Sequence, residues 1–269
     1  MTDYKKIVPC LDTKEGKLVK GIKFINLREI GDPADFAVKY EKDGADLIIL
    51  LDISASVEGR DTLLNVVKRT AEKLSTPFAV GGGIKNIKNI ETLLKAGCDK
   101  ISINTAAIKD PSFVKEAVNK FGGDKIVIAI DAMRYYVHGK VPEDKHVYET
   151  VEGPCWGNVV IYGGTKVTDI DLIDWSIQMS ELGISDILFT SKDADGTTSG
   201  YDIPLTRAIT ENVKTPVIAS GGCGHPYHIL EVLTEGKADA ALAASIFHYD
   251  QYSVKEVKNY LKGRGILVK

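Results

Sequence analysis

Apolar residues occur along the chain in short runs that alternate with longer amphipathic stretches. The runs are apolar almost throughout, which is typical of parallel strands buried on both faces. These predicted strands cover residues 7–12, 47–53, 77–83, 100–105, 126–132, 186–191, 216–222 and 238–246. Between the strands, apolar residues recur at helical spacing, as in Leu63, Val66, Val67, Ala71 and Leu74.

The order of these elements indicates the fold class. Asp32-Pro33 and Asp110-Pro111 each predict a helix start, with an N-cap followed by a proline in the first turn. Eight strands in strict alternation with helices favour an α/β fold of the closed (β/α)8 TIM-barrel type, and an open doubly wound sheet is the alternative. Barrels commonly have a length near 269 residues, so we expect a single domain over residues 1–269.

The sequence also contains an internal repeat. Two segments recur about 140 positions later in similar form, namely 77–83 in 216–222 and 99–107 in 239–247. Asp12 at the end of the first strand has a counterpart in Asp131 at the end of the fifth. We therefore predict a two-fold half-barrel repeat, with two similar sites that face each other across the barrel mouth.

The stretch from 134 to 171 is too long for an ordinary connection between a strand and a helix. Within it, residues 146–151 and 158–162 have strand character around a turn at 152–157 that contains glycine and proline. We expect a hairpin insertion around residues 134–170 that lies over the barrel mouth. A surface decoration is the alternative interpretation.

Candidate binding residues follow the strands at their carboxyl ends, where barrels of this kind place their functional groups. The glycine-rich segments 81–83 and 220–222 let backbone N–H groups approach an anion. Glycines also permit tight turns, so one segment alone is weak evidence, whereas two related by the repeat indicate an elongated substrate with two phosphates. The polar loop 193–202 is expected to become ordered around this ligand. The candidate phosphate-binding residues are Gly83, Asn104, Thr105, Asp195, Gly196, Gly222, Ala244 and Ser245.

Candidate catalytic groups are the carboxylates Asp12 and Asp131, which end opposed strands. A carboxylate in partly dry surroundings has its pKa raised toward neutral pH, which suits general acid–base catalysis. Each of them could instead cap a turn. Asp52 is a weaker candidate and more consistent with support of neighbouring loops. Lys20 could reach a phosphate, and a solvated charge is its alternative interpretation.

Composition and charge exclude several classes of protein. A formal net charge of −3 argues against general nucleic-acid binding. No apolar run approaches the roughly 18 residues of a membrane span, and the start of the chain is unlike a signal peptide, so we expect a cytoplasmic protein. The four cysteines form no C-x-x-C pair, which indicates reduced thiols. His225 and His228 have helical spacing but no accompanying ligands, so neither a metal nor a cofactor is expected.

Nine motifs, in order, resemble those of a known family. From Ile7 to its end the chain is similar to the cyclase subunits of imidazole glycerol phosphate synthase, which work with a glutaminase in histidine biosynthesis. The motifs are 9–12 (PCLD), 19–21 (VKG), 31–33 (GDP), 51–56 (LDISAS), 80–84 (VGGGI), 102–107 (SINTAA), 193–202 (DADGTTSGYD), 219–222 (ASGG) and 242–248 (LAASIFH).

The resemblance implies a lyase reaction that uses ammonia from a glutaminase partner in a heterodimer. Ammonia attacks the ribulosyl carbonyl of phosphoribulosyl-formimino-aminoimidazole carboxamide ribonucleotide. Cleavage and ring closure then give imidazole glycerol phosphate and aminoimidazole carboxamide ribonucleotide. In this reaction Asp12 and Asp131 would be the acid–base pair, and Lys20 would close over the substrate.

The resemblance also implies which residues hold each phosphate. Gly83, Asn104 and Thr105 would hold the glycerol-side phosphate. The residues for the other phosphate would be Asp195, Gly196, Gly222, Ala244 and Ser245.

A further implication of the resemblance is an ammonia gate of four charged residues on the barrel face opposite the mouth. By position, this chain offers Lys6, Lys100 and Asp186, with the apolar Leu47 in the fourth place. One carboxylate is thus replaced and another is shortened, so we expect a less tightly closed gate. Met133 stands where the family commonly has a lysine or another polar residue, and the sequence gives no physical reason for it.

Three rival functions remain at this point. A cyclase paralogue could serve a nucleotide-sugar amidotransferase, although a sugar substrate need not carry two phosphates. A related sugar isomerase of the same pathway shares the barrel and the repeat, but its first-strand pattern differs from residues 9–13 of this chain. A catalytically silent regulatory subunit is disfavoured by the two intact carboxylates, and an assay with an ammonium salt would distinguish it.

Overall fold

The computed structural model of the protein describes residues 4–22, 25–53, 59–140 and 142–269. The strands are β1 (Lys6–Lys14), β2 (Lys17–Ile22), β3 (Ile25–Gly31), β4 (Ile48–Asp52), β5 (Phe78–Gly81), β6 (Lys100–Ile103), β7 (Ile126–Tyr136), β8 (Cys155–Ile161), β9 (Lys166–Asp171), β10 (Asp186–Ser191), β11 (Val217–Ser220) and β12 (Ala240–Ala243).

Helices lie between the parallel strands and follow them in sequence. They are α1 (Pro33–Lys42), α2 (Gly59–Lys73), α3 (Ile87–Lys95), α4 (Thr105–Lys109), α5 (Pro111–Phe121), α6 (Leu172–Glu181), α7 (Ile203–Asn212), α8 (Pro226–Thr234), α9 (Ser245–His248) and α10 (Val254–Lys262). As predicted, Asp32 and Asp110 cap helices α1 and α5, each of which begins with proline. Among the described residues, no helix is both long and apolar enough to cross a membrane.

Eight parallel strands close into a barrel in the order β1-β4-β5-β6-β7-β10-β11-β12. β6 pairs with β7, and β12 pairs with β1, so neither junction between the halves leaves a free edge. The predicted (β/α)8 TIM barrel is therefore confirmed, and the open doubly wound sheet is excluded because such a sheet would end in two edge strands.

The two halves of the barrel have the same strand register. Asp12 of β1 lies opposite Leu51 of β4, and Asp131 of β7 lies opposite Thr190 of β10. The next pairs along the two halves also correspond. Ile48 lies opposite Phe78 as Ile187 lies opposite Val217. Ala79 lies opposite Lys100 as Ile218 lies opposite Ala240. The predicted half-barrel repeat therefore holds in the hydrogen-bond ladders and not only in the sequence.

Alternate residues of the barrel strands enter two separate apolar clusters. The inner cluster fills the barrel interior and includes Val8, Ile49, Ala79, Val127, Leu188, Ile218 and Leu242. The outer cluster lies between the strands and the helices and includes Ile7, Ile48, Phe78, Ile128 and Ile187. Because successive side chains point to opposite faces and both faces are buried, the strands are apolar throughout, as the sequence indicated.

The insertion differs in detail from its prediction. β7 continues beyond the barrel to Tyr136 and pairs antiparallel with β8, which in turn pairs with β9. Residues 146–151 were expected to form one arm of a hairpin, but they contribute only the bridge between Tyr148 and Cys155. The arm is therefore shorter than predicted: Tyr148 and Cys155 exchange two backbone hydrogen bonds, as do Thr150 and Gly153, and the longer partner of β8 is the extended β7.

An equivalent extension in the first half was not predicted. β1 continues into an antiparallel pairing with β2, and β2 pairs with β3. Each half-barrel thus carries two antiparallel strands after its first barrel strand. This antiparallel pairing starts directly after Asp12 in the first half and at Asp131 in the second.

A buried ion pair ties the C-terminal helix to the first strand. Lys258 of α10 lies 2.8 Å from Asp46 Oδ1, and both side chains are at most 10% exposed. The other carboxylate oxygen of Asp46 accepts a hydrogen bond from the backbone N–H of Ile7 at 2.8 Å. Asp99 and Asp239 make the same kind of bond to Phe78 and Val217, so aspartates fix the starts of several barrel strands.

We expect Asp46→Ala to lower the free energy of unfolding by about 3 kcal/mol, because it leaves the Lys258 ammonium buried without its partner. Asp35→Ala is the control, since the Asp35–Lys73 pair at 2.7 Å is exposed and should contribute less than about 1 kcal/mol. Urea denaturation of both variants measures the difference. Equal effects would contradict the role given to Asp46.

Candidate active site

The two candidate catalytic carboxylates lie at the mouth of the barrel, which we define by the carboxyl ends of the eight parallel strands. Asp12 on β1 and Asp131 on β7 are both half-buried. β1 and β7 are four strands apart in the closed barrel, so the two carboxylates flank the mouth from opposite sides. The Sγ atom of Cys10, one inward position below Asp12, lies 3.7 Å from Asp12 Oδ1.

The surroundings of Asp131 favour proton transfer near neutral pH. Burial raises the pKa of Asp131 to about 6, with a further increase from the negative charge of Asp195. The positive charge of Lys192 and a hydrogen bond from Asn104 Nδ2 at 3.1 Å act in the opposite direction. A carboxyl group with a pKa this close to neutral can both accept and donate a proton during turnover.

The first predicted phosphate cradle lies after β5 and β6. Gly82 (φ +100°) lies so close to β4 that a Cβ there would be 2.0 Å from the carbonyl oxygen of Asp52, whereas a Cβ at Gly83 (φ +63°) would meet no atom within 4 Å. Gly82 is thus required by packing, and Gly83 leaves open space above its backbone. Asn104 precedes α4, and Thr105 begins it. The hydroxyl of Thr105 accepts a hydrogen bond from the backbone N–H of Tyr162 at 3.0 Å, which leaves its proton free to be donated.

The second predicted cradle lies after β11 and β12 and is partly covered by the loop after β10. Gly222 accepts a hydrogen bond from Gly200 N at 2.8 Å, and a Cβ at Gly222 would be 1.9 Å from the carbonyl oxygen of Gly200. Gly222 is therefore required for the close approach of the loop. Ala244 and Ser245 occupy the positions before and at the start of α9, as Asn104 and Thr105 do for α4.

Arg134 and Asp202 anchor the loop 193–202. Nη2 of Arg134 lies 2.5 Å from Asp202 Oδ1, and the Asp202 side chain is 1% exposed. Asp202 also accepts a hydrogen bond from Ser191 Oγ at 3.0 Å and caps α7. The backbone N–H of Arg134 donates to Asp193 Oδ2 at 2.7 Å. The two ends of the loop are thus bound to the β7 extension.

The structure brings together only part of the predicted gate. At the barrel floor, the end opposite the mouth, Lys100 Nζ lies 2.5 Å from Asp186 Oδ2. Leu47 is 5% exposed and packs in the inner apolar cluster. Lys6 is exposed at the start of β1, opposite Ala240, and no ion pair links it to Lys100 or Asp186 within the described part of the chain.

Two sequence predictions lie partly outside the described residues. The backbone of Lys20 lies on β2 opposite Arg28, but its side chain is outside the described part of the structure. Residues 54–56 of the predicted 51–56 motif are outside it as well. Their placement near the substrate stays a prediction.

The histidines have local structural roles. The His225 side chain caps α8, and His228 Nδ1 accepts a hydrogen bond from Gly224 N at 3.1 Å. A separate group of His146, Asp171 and Asp174 has possible metal-ligand atoms within 4.8 Å of one another. Asp171 Oδ1 already caps α6 by accepting from two backbone N–H groups, which gives this group a structural explanation.

Sequence reasoning missed Lys192, which pairs with Asp195 at 2.9 Å and acts electrostatically on Asp131. It also missed Arg134. A lysine that directly follows the end of a barrel strand was the available signal for Lys192. The proximity of Lys192 to Asp131, however, depends on the register between β7 and β10, which the sequence does not show.

We expect Gly83→Ala to cost only about 1 kcal/mol of folding free energy but to reduce the affinity for inorganic phosphate about tenfold or more, because a methyl group would project into the open cradle. Gly82→Ala should instead destabilise the fold by about 3 kcal/mol or more, owing to its clash with Asp52. Gly183→Ala is the control for Gly83, since Gly183 has φ +74° and open space in a loop on the opposite face. Calorimetric titration and thermal unfolding measure the two effects; phosphate binding that is unaltered in Gly83→Ala would contradict the cradle.

Comparison with known proteins identifies the family of the chain. A family model described as "Histidine biosynthesis protein" matches residues 6–253. The protein named "Imidazole glycerol phosphate synthase subunit HisF" from Methanocaldococcus jannaschii is 53% identical over 264 residues, which cover 97% of each chain. Proteins of the same name from Methanosarcina mazei and Methanopyrus kandleri are each 50% identical and cover 98% of each chain. The chain therefore belongs to the histidine biosynthesis protein family.

Proposed function

We propose that this chain is the cyclase subunit of imidazole glycerol phosphate synthase, a lyase that uses ammonia to make imidazole glycerol phosphate and aminoimidazole carboxamide ribonucleotide. The observation that carries the proposal is the paired arrangement at the mouth, where two carboxylates and two glycine-rich cradles occupy equivalent positions of the half-barrels. The HisF relatives, at about 50% identity over nearly the whole chain, support the same reaction.

The substrate would span the mouth between the two cradles. Gly83, Asn104 and Thr105 would bind the glycerol-side phosphate through backbone and side-chain donors. The second phosphate would lie against Gly196, Gly222, Ala244 and Ser245, near Asp195. The Asp195 carboxylate is paired with Lys192, which offsets its repulsion of a phosphate.

This pose would place the reacting carbonyl between Asp12 and Asp131. Addition of ammonia requires a proton for the carbonyl oxygen, and ring closure requires further proton transfers, so an acid and a base are both needed. The pKa of Asp131, raised by burial to about 6, suits either role near neutral pH. Lys20 on β2 would close over the bound substrate.

Ammonia would enter through the floor of the barrel from a glutaminase that forms a heterodimer with this chain. Lys100 and Asp186 form an ion pair at this entrance, and Leu47 occupies the place of a charged gate residue. Lys6 is exposed on the same face, where it would meet the partner. A single ion pair beside an apolar side chain supports the expectation of a less tightly closed gate.

The rival functions are less well supported. A paralogue serving a nucleotide-sugar amidotransferase is not favoured, because the relatives named above are synthase subunits over nearly their full length. The same relatives do not support the sugar isomerase either. A silent regulatory subunit would have no need for a carboxyl group whose pKa is raised to about 6.

We expect Asp12→Asn and Asp131→Asn each to lower ammonia-dependent turnover by about 100-fold or more, with substrate affinity within a few-fold of the wild type. Asparagine keeps the size of the side chain but cannot transfer the proton. The assay follows turnover at saturating ammonium, so that ammonia delivery is not limiting. Asp35→Asn, on the exposed face of α1, is the control and should keep full activity. Near-normal turnover of Asp131→Asn would remove it from the acid–base pair.

We expect glutamine-dependent turnover only after a glutaminase subunit is added, whereas ammonium-dependent turnover needs no partner. Lys100→Met should lower the ratio of glutamine-dependent to ammonium-dependent rates, because it breaks the ion pair at the entrance. Lys73→Met, which breaks an exposed pair, should leave this ratio unchanged. Glutamine hydrolysis by this chain alone, or an unchanged ratio in Lys100→Met, would argue against the proposed entrance.

A further inference from the structure

Lys192 is the first residue after β10, and its position is fixed by the neighbouring strand. Its backbone N–H donates to the carbonyl oxygen of Ala132 at 2.9 Å, which extends the register in which Thr190 faces Asp131 and Ser191 faces Ala132. Since alternate residues of a strand share a face, Lys192 lies on the face of Thr190 and Asp131, toward the mouth. In the same register it is the neighbour of Met133.

The side chain of Lys192 is enclosed by the loop after β10 and by the turn between β8 and β9. Its Nζ lies 2.9 Å from Asp195 Oδ2, and the side chain is 15% exposed. A Cβ at Gly164, in the turn between β8 and β9, would be 2.6 Å from Lys192 Cε and 3.3 Å from its Nζ. The turn therefore packs against the lysine side chain, and Gly164 has φ +89°, a conformation that favours glycine. An ammonium group with so little solvent around it is weakly screened from neighbouring charges.

We propose that Lys192 is a positioning residue of the cyclase reaction, which sets the protonation balance of Asp131 and fixes the Asp195 carboxylate beside the second phosphate. This inference rests on the proposed function. It joins the catalytic carboxylate to the phosphate-binding loop through one ammonium group, although Lys192 itself belongs to neither set of predicted site residues.

Several charged and polar groups face Asp131 from the elements packed around it. Lys192 and Asp195 come from the end of β10 and its loop, and Asn104 comes from the end of β6. Asp12 on β1 and Asp52 at the end of β4 also belong to the mouth. The positive charge of Lys192 opposes both the burial and the charge of Asp195, which raise the pKa of Asp131. Loss of the Lys192 ammonium would remove its attraction for the Asp131 carboxylate and would leave the negative charge of Asp195 uncompensated. Both changes would raise the pKa of Asp131 further.

The experiment is a titration of Asp131 in the full chain by carbon-13 NMR of labelled aspartate, assigned with Asp131→Asn. Lys192→Met should move the titration midpoint to higher pH by about one pH unit, as expected on loss of an opposite charge close by. Lys192→Arg, which keeps the charge, should stay near the wild-type midpoint. Asp195→Asn should move the midpoint in the opposite direction, to lower pH, because it removes a like charge and releases Lys192.

A relocated lysine is a further test. Met133 is the register neighbour of Lys192, so Met133→Lys in the Lys192→Met background should return the midpoint toward that of the wild type. In kinetic assays at constant unprotonated ammonia, the limb of the pH profile that Asp131 governs should follow the same shifts. The KM for the bisphosphate substrate should rise severalfold in Lys192→Met, through the released Asp195. Lys73→Met is the control lysine and should change none of these quantities.

An Asp131 midpoint that is unchanged in Lys192→Met would overturn the inference, as would a uniform loss of turnover at every pH. If Lys192→Met fails to fold, Lys192→Arg and Asp195→Asn still test the inference. An Asp131 titration midpoint that does not move in Asp195→Asn would also overturn the inference. Absence of ammonia-dependent turnover in the wild type would instead refute the proposed function. The NMR titration requires no turnover, so the two failures can be told apart.

Discussion

The structure depends on the closure of eight parallel strands into one hydrogen-bonded ring. Closure pairs every barrel strand on both sides, through β7 with β10 and β12 with β1, and it forces each strand to bury both faces. Polar chemistry is then restricted to the two ends, because the interior is filled by the inner cluster of apolar side chains. The mouth and the floor of the barrel therefore carry the candidate functional groups whose side chains the structure describes.

The half-barrel register places equivalent residues in equivalent positions, yet the two carboxylates have different neighbours. The repeat relates Lys192 beside Asp131 to Ile53 beside Asp12, and it relates Asn104 to Ala244. Asp131 thus has an ammonium group and an amide donor where Asp12 has apolar counterparts. Two carboxylates in unlike environments can hold different protonation states at one pH, which an acid–base pair requires. The strand register is therefore the same in the two halves, whereas a few side chains differ between them.

How far the sequence could predict this arrangement depended on whether a feature is local. The apolar runs and the Asp-Pro helix starts depend on nearby residues, and they gave the barrel, its repeat and the helix caps correctly. β2 and β3 escaped prediction because their residues mix polar and apolar types and are stabilised by pairing with β1. The reason for Gly82 and Gly222 lies in backbone atoms of Asp52 and Gly200, which are remote in sequence or across a loop. The positions of the site residues were predictable from strand ends, whereas their catalytic roles remain predictions.

The raised pKa of Asp131 also has a thermodynamic meaning. Its folded-state pKa of about 6 exceeds the ordinary value for an aspartate, so the native state binds the proton more tightly than the unfolded chain does. The ionised carboxylate therefore destabilises the fold above pH of about 6, by on the order of 3 kcal/mol, and this penalty disappears as the pH falls below about 4. Asn104 and Lys192 limit the penalty but do not remove it. A carboxylate at a position where its ionised form weakens the fold is consistent with the proposed proton transfer at the mouth.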